Sequence, residues 1–179
     1  VLIIGAGNSA HRHKAKIEKF IRKNDPYVIC LNTNKSVNEK LINLRTACHP
    51  FRIISDINNY DSKTNLAMPL SMLPKQIFDK IKYKKTLIRD YGISTNLINK
   101  IIVKNNYCII PNSLAVSYSL SIALAGKSKK IFLAGFDGYD DDDSKNDETD
   151  LILKIIQKTF KKLKIFSLTK TKYNIKNIT

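Results

Sequence analysis

The sequence predicts an α/β fold: a three-layer sandwich in which helices cover both faces of a mostly parallel sheet. Three observations carry this. Short, continuous apolar runs at residues 1–4, 27–31, 107–110 and 130–134 read as strands buried on both faces. Turn residues (Gly, Asn, Ser, Pro) follow these runs, and segments of helical period alternate with them, which demands parallel strands joined by crossovers. The helix expected over 114–125 is almost wholly apolar, so it must lie buried against a sheet.

In order, the first strand ends in Gly5-Ala6-Gly7-Asn8-Ser9. A helix over about 10–22 follows, with Ile17, Phe20 and Ile21 as its apolar stripe and Asn24-Asp25-Pro26 as its stop. The second strand, 27–31, ends at Asn32-Thr33-Asn34. Residues 37–44 read as a short helix and 51–54 as a third strand. The pattern then weakens. Residues 66–70 read as a strand, 74–81 as a helix opened by its Pro, and 86–89 as a strand, with turns at Asn58-Asn59 and Asn105-Asn106. Strand 107–110 leads through Pro111-Asn112-Ser113, a turn and helix cap, into the apolar helix, closed by Gly126. Strand 130–134 ends at Gly135-Phe136-Asp137-Gly138-Tyr139. Residues 140–150 read as a solvated acidic loop, 151–163 as an amphipathic helix and 165–168 as the last strand. There is no internal repeat and no linker, and 179 residues fit one domain of this class.

The composition, 43% hydrophobic and 26% charged, is that of a globular chain rather than a disordered one. No run of 18 apolar residues offers a membrane-spanning helix, and no signal peptide is expected. Cys30, Cys48 and Cys108 are widely spaced with no C-x-x-C pair, which excludes a disulfide framework and a zinc signature. They are expected to be reduced core thiols in a cytoplasmic protein. A net charge of +16 suggests nucleic acid at first sight. The cations, however, are 26 Lys to five Arg, and Lys, Ile and Asn make up 69 of 179 residues, the bias of AT-rich coding. Nucleic-acid readers lean on Arg and aromatics, so no nucleic-acid partner is expected. The charge still favours anionic ligands and a peripheral contact with membrane surfaces. Val1 is not a start Met and opens directly into an apolar run, so the chain is expected to be a domain of a longer one.

In open α/β sheets ligands bind beyond the carboxyl ends of the strands. Three such ends carry suitable residues. Gly5 and Gly7 allow close backbone approach, and Asn8 and Ser9 open a helix whose unpaired N–H groups suit a phosphate, with His11, Arg12, His13 and Lys14 adding positive charge. Gly5, Gly7 and Ala10 also fit the loose dinucleotide fingerprint. The acidic residue that should end the second strand is Asn32 instead, which argues against NAD or FAD. Asn32 and Asn34 can pair with a base edge or a ribose hydroxyl. Asn112, Ser113, Asp137 and Tyr139 complete the set. Asp140 to Asp143 lack the spacing of a calcium loop and read as solvated carboxylates, with Mg²⁺ the alternative. His49 reads as a structural histidine or, alternatively, an acid or base.

Several stretches carry a resemblance: VLIIGAGNSAHRHKAKIEKFI, HPFRIISDINNY, MPLSMLP, NYCIIPNSLAVSYSLSIALAGKSKKIFLAGFDGYDDDD and LTKTKYNI. Together they resemble the Rossmann-like C-terminal domain of bacterial aldolase-fused proteins, over nearly the whole chain. In those proteins an HMG-CoA-lyase-like or hydroxy-oxovalerate-aldolase-like barrel precedes the domain. They occur with surface-sugar biosynthesis, and some are labelled acylneuraminate cytidylyltransferases. More distantly the chain is similar to bacterial sialyltransferases that use CMP-sialic acid. In those, positions matching Asn8, Ser9, Asn32, Asn112, Ser113, Asp137 and Tyr139 cradle CMP. Their catalytic His lies beyond the Asp-Phe-Tyr turn, whereas residues 140–150 here hold no His, and their phosphate-supporting Tyr pair has no clear counterpart.

The resemblance implies a nucleotide or nucleotide-sugar site of CMP type in cell-surface glycan synthesis. If the domain is a glycosyltransferase, its base is to be sought among Asp137, Glu148 and His49. The alternatives are a non-catalytic module that docks on an aldolase barrel in the same chain, and a pterin-type diphosphokinase dependent on ATP and Mg²⁺.

Overall fold

The computed structural model describes residues 1–60, 63–76, 87–96 and 99–178. In chain order its strands are β1 (Leu2–Ile4), β2 (Val28–Leu31), β3 (Leu44–Thr46), β4 (Asn65–Met68), β5 (Ile88–Asp90), β6 (Gly92–Thr95), β7 (Ile102–Val103), β8 (Tyr107–Ile110), β9 (Lys130–Ala134), β10 (Lys164–Ser167) and β11 (Lys176–Asn177). Its described α-helices are α1 (Asn8–Arg12), α2 (Lys14–Asn24), α3 (Pro50–Asp56), α4 (Ala115–Ala125) and α5 (Lys145–Thr159). Eight strands form one wholly parallel sheet in the order β11-β10-β9-β1-β2-β3-β4-β5. The expected α/β sandwich is therefore the fold.

Period-two alternation sorts the side chains onto the two faces. Leu2, Ile4, Val28, Cys30 and Ala134 face α2, packing on Ile17 and Ile21. Ile3, Ile29, Leu31, Ile131 and Leu133 face α4 and α5, meeting Leu120, Ile152 and Ile156. Over β3 and β4, Ala47, Leu66 and Met68 are covered by Ile53 of α3 and by Tyr60.

The apolar helix α4 lies between two sheets. Beyond it β6, β8 and β7 form a small second sheet, β6 parallel and β7 antiparallel to β8. On the side of the main sheet the Ser119 hydroxyl meets that of Thr46 at 2.7 Å. On the other side the fully buried Tyr118 donates to the carbonyl of Tyr91 at 2.5 Å, where the chain passes from β5 to β6. The buried Ser119 and Ser121 hydroxyls donate to the carbonyls of Ala115 and Ser117 one turn back, which satisfies them without a polar face.

Several expectations need correction. The first helix breaks at His13 into α1 and α2. Residues 37–44 are not a helix: a 3-10 turn, Glu39–Leu41, leads into β3, where Arg45 interrupts the apolar run that marks a strand. Residues 51–54 are helix α3, not strand. Pro50 presets its first turn, and only Ile53 is buried while Phe51 stays 77% exposed. Strand 107–110 belongs to the second sheet, and its partners β6 and β7 were not expected. Helix α5 begins at Lys145, inside the acidic stretch, because Asp147 and Glu148 in its first turn suit the helix dipole. The helix expected over 74–81 falls largely outside the described residues, as does the start of the strand expected over 86–89, whose second half is β5.

Candidate functional site

From β1 the chain steps outward through β2, β3, β4 and β5, then returns to β9 and steps the opposite way to β10 and β11. The direction reverses between β1 and β9, and the crevice outside the carboxyl ends of those two strands is where such a sheet binds ligands. The Gly5-Ala6-Gly7-Asn8-Ser9 and Gly135-Phe136-Asp137-Gly138-Tyr139 loops meet there.

Their contact is intimate. The Gly5 N–H donates to the Ala134 carbonyl at 2.8 Å and the Gly7 N–H to the Gly135 carbonyl at 2.9 Å. A Cβ on Gly7 would stand 2.7 Å from the Asp137 carboxyl carbon, and one on Gly135, whose φ is +73°, 2.6 Å from the Cβ of Ala10. The glycines thus let the two loops touch each other. Asp137 then reaches over Gly7 to the start of α1, where its carboxylate accepts the Ser9 backbone N–H at 2.8 Å and the Ser9 hydroxyl. The N–H that the sequence offers to a phosphate is already held by a carboxylate of the protein.

Segment 169–173 fastens the β9 loop from outside. Thr169 accepts from the Gly135 N–H at 3.0 Å, Thr171 donates to the Phe136 carbonyl at 2.6 Å, and the Lys172 ammonium donates to the Tyr139 carbonyl at 2.9 Å and to Asp141 at 2.5 Å. Asn146 at the start of α5 binds both ends of the Tyr139-Asp140 turn, accepting the Tyr139 N–H at 2.8 Å and donating to the Asp140 carbonyl at 2.7 Å. Asp141 and Asp143 face Lys172 and Lys145, which hold their carboxyls below the usual range. Among the described residues no three His, Cys, Asp or Glu gather as a metal site.

On the β2 side, Asn34 is structural: its amide donates to the Gly5 carbonyl at 2.6 Å and accepts the Ser36 N–H at 3.0 Å. Asn32 differs. It holds a left-handed conformation at φ +51°, which Asn tolerates, is half-buried, and its side-chain amide makes no hydrogen bond among the described residues. Asn112 is committed, accepting the Ser117 hydroxyl at 2.5 Å and donating to the Glu148 carbonyl at 3.0 Å. Ser113 is exposed beside the end of β3, its carbonyl accepting from the Cys48 thiol at 3.2 Å.

The three acid–base candidates are not joined by any hydrogen bond. Asp137 spends both oxygens on Ser9. His49 is exposed at the start of α3, its ring 5.8 Å from that of Phe51. Glu148 is half-buried in the first turn of α5. Tyr139, 43% exposed, is where charges converge: burial raises its pKa, Lys145 and Arg52 oppose this, and Asp143 and Glu148 add to it.

Sequence reasoning missed Arg45. This 97%-buried guanidinium holds the β2–β3 loop, donating to the carbonyls of Asn32 at 2.7 Å and Asn34 at 3.0 Å and pairing with Glu39. The rarity of Arg beside 26 Lys was the available signal, because a chain that writes Lys by default keeps Arg where a planar fork is required.

Comparison with protein-family models, with curated proteins and with solved structures returns no match for this chain.

Proposed function

We infer that the carboxyl edge at the β1–β9 reversal binds a nucleotide or nucleotide-sugar, CMP-linked by the resemblance, and that the protein works in cell-surface glycan synthesis as a CMP-sugar-dependent glycosyltransferase. The reversal of strand order between β1 and β9 supports this reading: Gly7, Asn8 and Ser9 follow β1, Asp137 and Tyr139 follow β9, and Asn32, with its uncommitted amide, follows the neighbouring β2. Asn32 suits a base edge or ribose, and Arg12 or Arg52 suits the phosphate. To act as base Asp137 would first have to release Ser9, a commitment that Glu148 and His49 do not carry.

Thermal unfolding with CMP, CMP-sialic acid, UDP, ATP with Mg²⁺, and NAD tests it. At 100 times its dissociation constant a ligand stabilises by about 2.7 kcal/mol. The reading expects a shift with the CMP compounds that is lost in Asn32→Gly, which keeps the left-handed backbone while removing the amide. No shift with any ligand would overturn it.

One observation favours a second reading, a non-catalytic module docked on an aldolase barrel. The N–H groups of Gly5, Gly7 and Ser9 are all spent inside the protein. Association with the barrel without any nucleotide shift would establish it, and a shift with ATP and Mg²⁺ alone would point to the diphosphokinase.

A further inference from the structure

The edge of the main sheet opposite the proposed nucleotide site carries a second feature. All eight strands run the same way and α4 and α5 run back against them, so the chain crosses the amino edge at 126–129 and again at 160–163. The two crossings lie side by side, with the Lys164 N–H donating to the Lys129 carbonyl at 3.0 Å and Lys164 in register with Lys130. Lys127, Lys129, Lys130, Lys158, Lys161, Lys162 and Lys164 are all exposed there. Segments 124–130 and 158–164 contain no carboxylate, and none of these lysines makes a salt bridge among the described residues. Between the crossings lies an open groove of about 440 Å³, floored by Leu124, Phe160 and Leu163.

Coding bias accounts for many lysines but not for their separation from the acidic stretch; Asp25, which leads into β2, is the exposed carboxylate that the α2–β2 crossing brings to the amino edge. Asp137, Asp140 to Asp143, Asp147 and Glu148 all sit at the opposite, carboxyl edge. Helix C-termini favour nearby cations, which explains Lys127 and Lys158 but not the other five. Lys130 rests against the rings of Phe132 and Phe166, 5.7 and 5.9 Å from their centroids.

We propose that this amino edge docks on the anionic headgroup layer of a phospholipid bilayer. A broad array of cations without salt-bridge partners among the described residues, set beside an apolar floor, suits a diffuse negative surface. Lysine stems can lie along the apolar floor while the ammonium groups reach the headgroups. Docked this way, the carboxyl edge faces away from the bilayer and its site stays open.

Vesicle flotation tests it, using phosphatidylcholine alone and phosphatidylcholine with phosphatidylglycerol, at low and high salt. The protein is expected to float with the anionic vesicles only, and to be released by salt. The fourfold variant Lys127→Gln, Lys129→Gln, Lys161→Gln, Lys162→Gln should lose more than tenfold in binding. A charge-matched control on the opposite faces, Lys14→Gln, Lys16→Gln, Lys19→Gln, Lys40→Gln, should keep it, with unchanged melting for both confirming that they fold. Equal losses in the two variants would show a diffuse charge effect and overturn the proposal. So would equal binding to neutral vesicles, no binding to either, or binding of a DNA duplex through these lysines without vesicle binding.

Discussion

The Asp137 carboxylate accepts both the backbone N–H and the hydroxyl of Ser9, joining the loops after β1 and β9 across 128 residues of sequence. It does for α1 what an N-cap side chain does from within a helix. Asp137→Ala leaves two donors without their partner and should cost about 2 kcal/mol in urea unfolding. It also frees the Ser9 N–H. If a nucleotide phosphate competes for that donor, CMP should stabilise Asp137→Ala more than the wild type. A CMP shift that vanishes in this variant would place the carboxylate in direct contact with the ligand.

The glycines of the two loops act by omission. Gly135 combines φ +73° with a Cβ position 2.6 Å from the Cβ of Ala10 and 2.7 Å from the Gly5 carbonyl oxygen. Gly135→Ala should cost roughly 3 kcal/mol, from the left-handed conformation and the overlap together. Gly126→Ala is the internal control: φ is −73° and the nearest atom to its Cβ is 3.5 Å away. It should fall within about 0.5 kcal/mol of wild type. Equal losses at the two sites would show that the loop contact is not what constrains Gly135.

Legibility in the sequence followed how much of an element's reason for existing is local. β1 and β9 announce themselves because parallel strands buried on both faces are continuous apolar runs. The rule that ligands bind beyond strand carboxyl ends then gathers Gly5, Gly7, Asn32 and Asp137 on one edge without any coordinates. β3 was hidden because Arg45 stands at its centre, and a buried cation is tolerable there because Glu39, six residues earlier, and the carbonyls of Asn32 and Asn34 accept its guanidinium. β6 and β7 were hidden because they are short and partly exposed, with a partner strand drawn from further along the chain. The use of the glycines was hidden too: a loop opened for a phosphate and a loop opened for another loop are spelled alike.

The three thiols should be inert in the folded protein. Burial pushes Cys48 up to about 12 and Cys30 and Cys108 up to about 11. The thiolate is the reactive form, so alkylation at pH 8 should proceed only as fast as the chain opens. Mass spectrometry should show no early modification at any of the three, and full modification in denaturant. Rapid modification of Cys48 under native conditions would mean that the contact between the β3 end and the Ser113 carbonyl opens readily.

Arg45 and Glu39 should shape the acid limb of stability. Burial pushes the Glu39 carboxyl up, but hydrogen bonds from Arg45 and Thr64 and the charge of Arg45 outweigh it, leaving the pKa below its ordinary value. A carboxyl whose pKa is lower folded than unfolded adds stability above its unfolded pKa, and that stability is lost as pH falls through the folded value. Melting temperature should therefore drop on acidification below the usual carboxylate range, and Glu39→Gln should flatten that drop while lowering stability at neutral pH. Arg45→Met should cost more, about 3 kcal/mol or above, because it strands a partly buried carboxylate and removes a donor from each of the Asn32 and Asn34 carbonyls. If Arg45→Met also shifts nucleotide affinity, the guanidinium acts on the site through the backbone of Asn32. An Arg45→Lys variant, which keeps the charge but not the fork, would then fail to restore it.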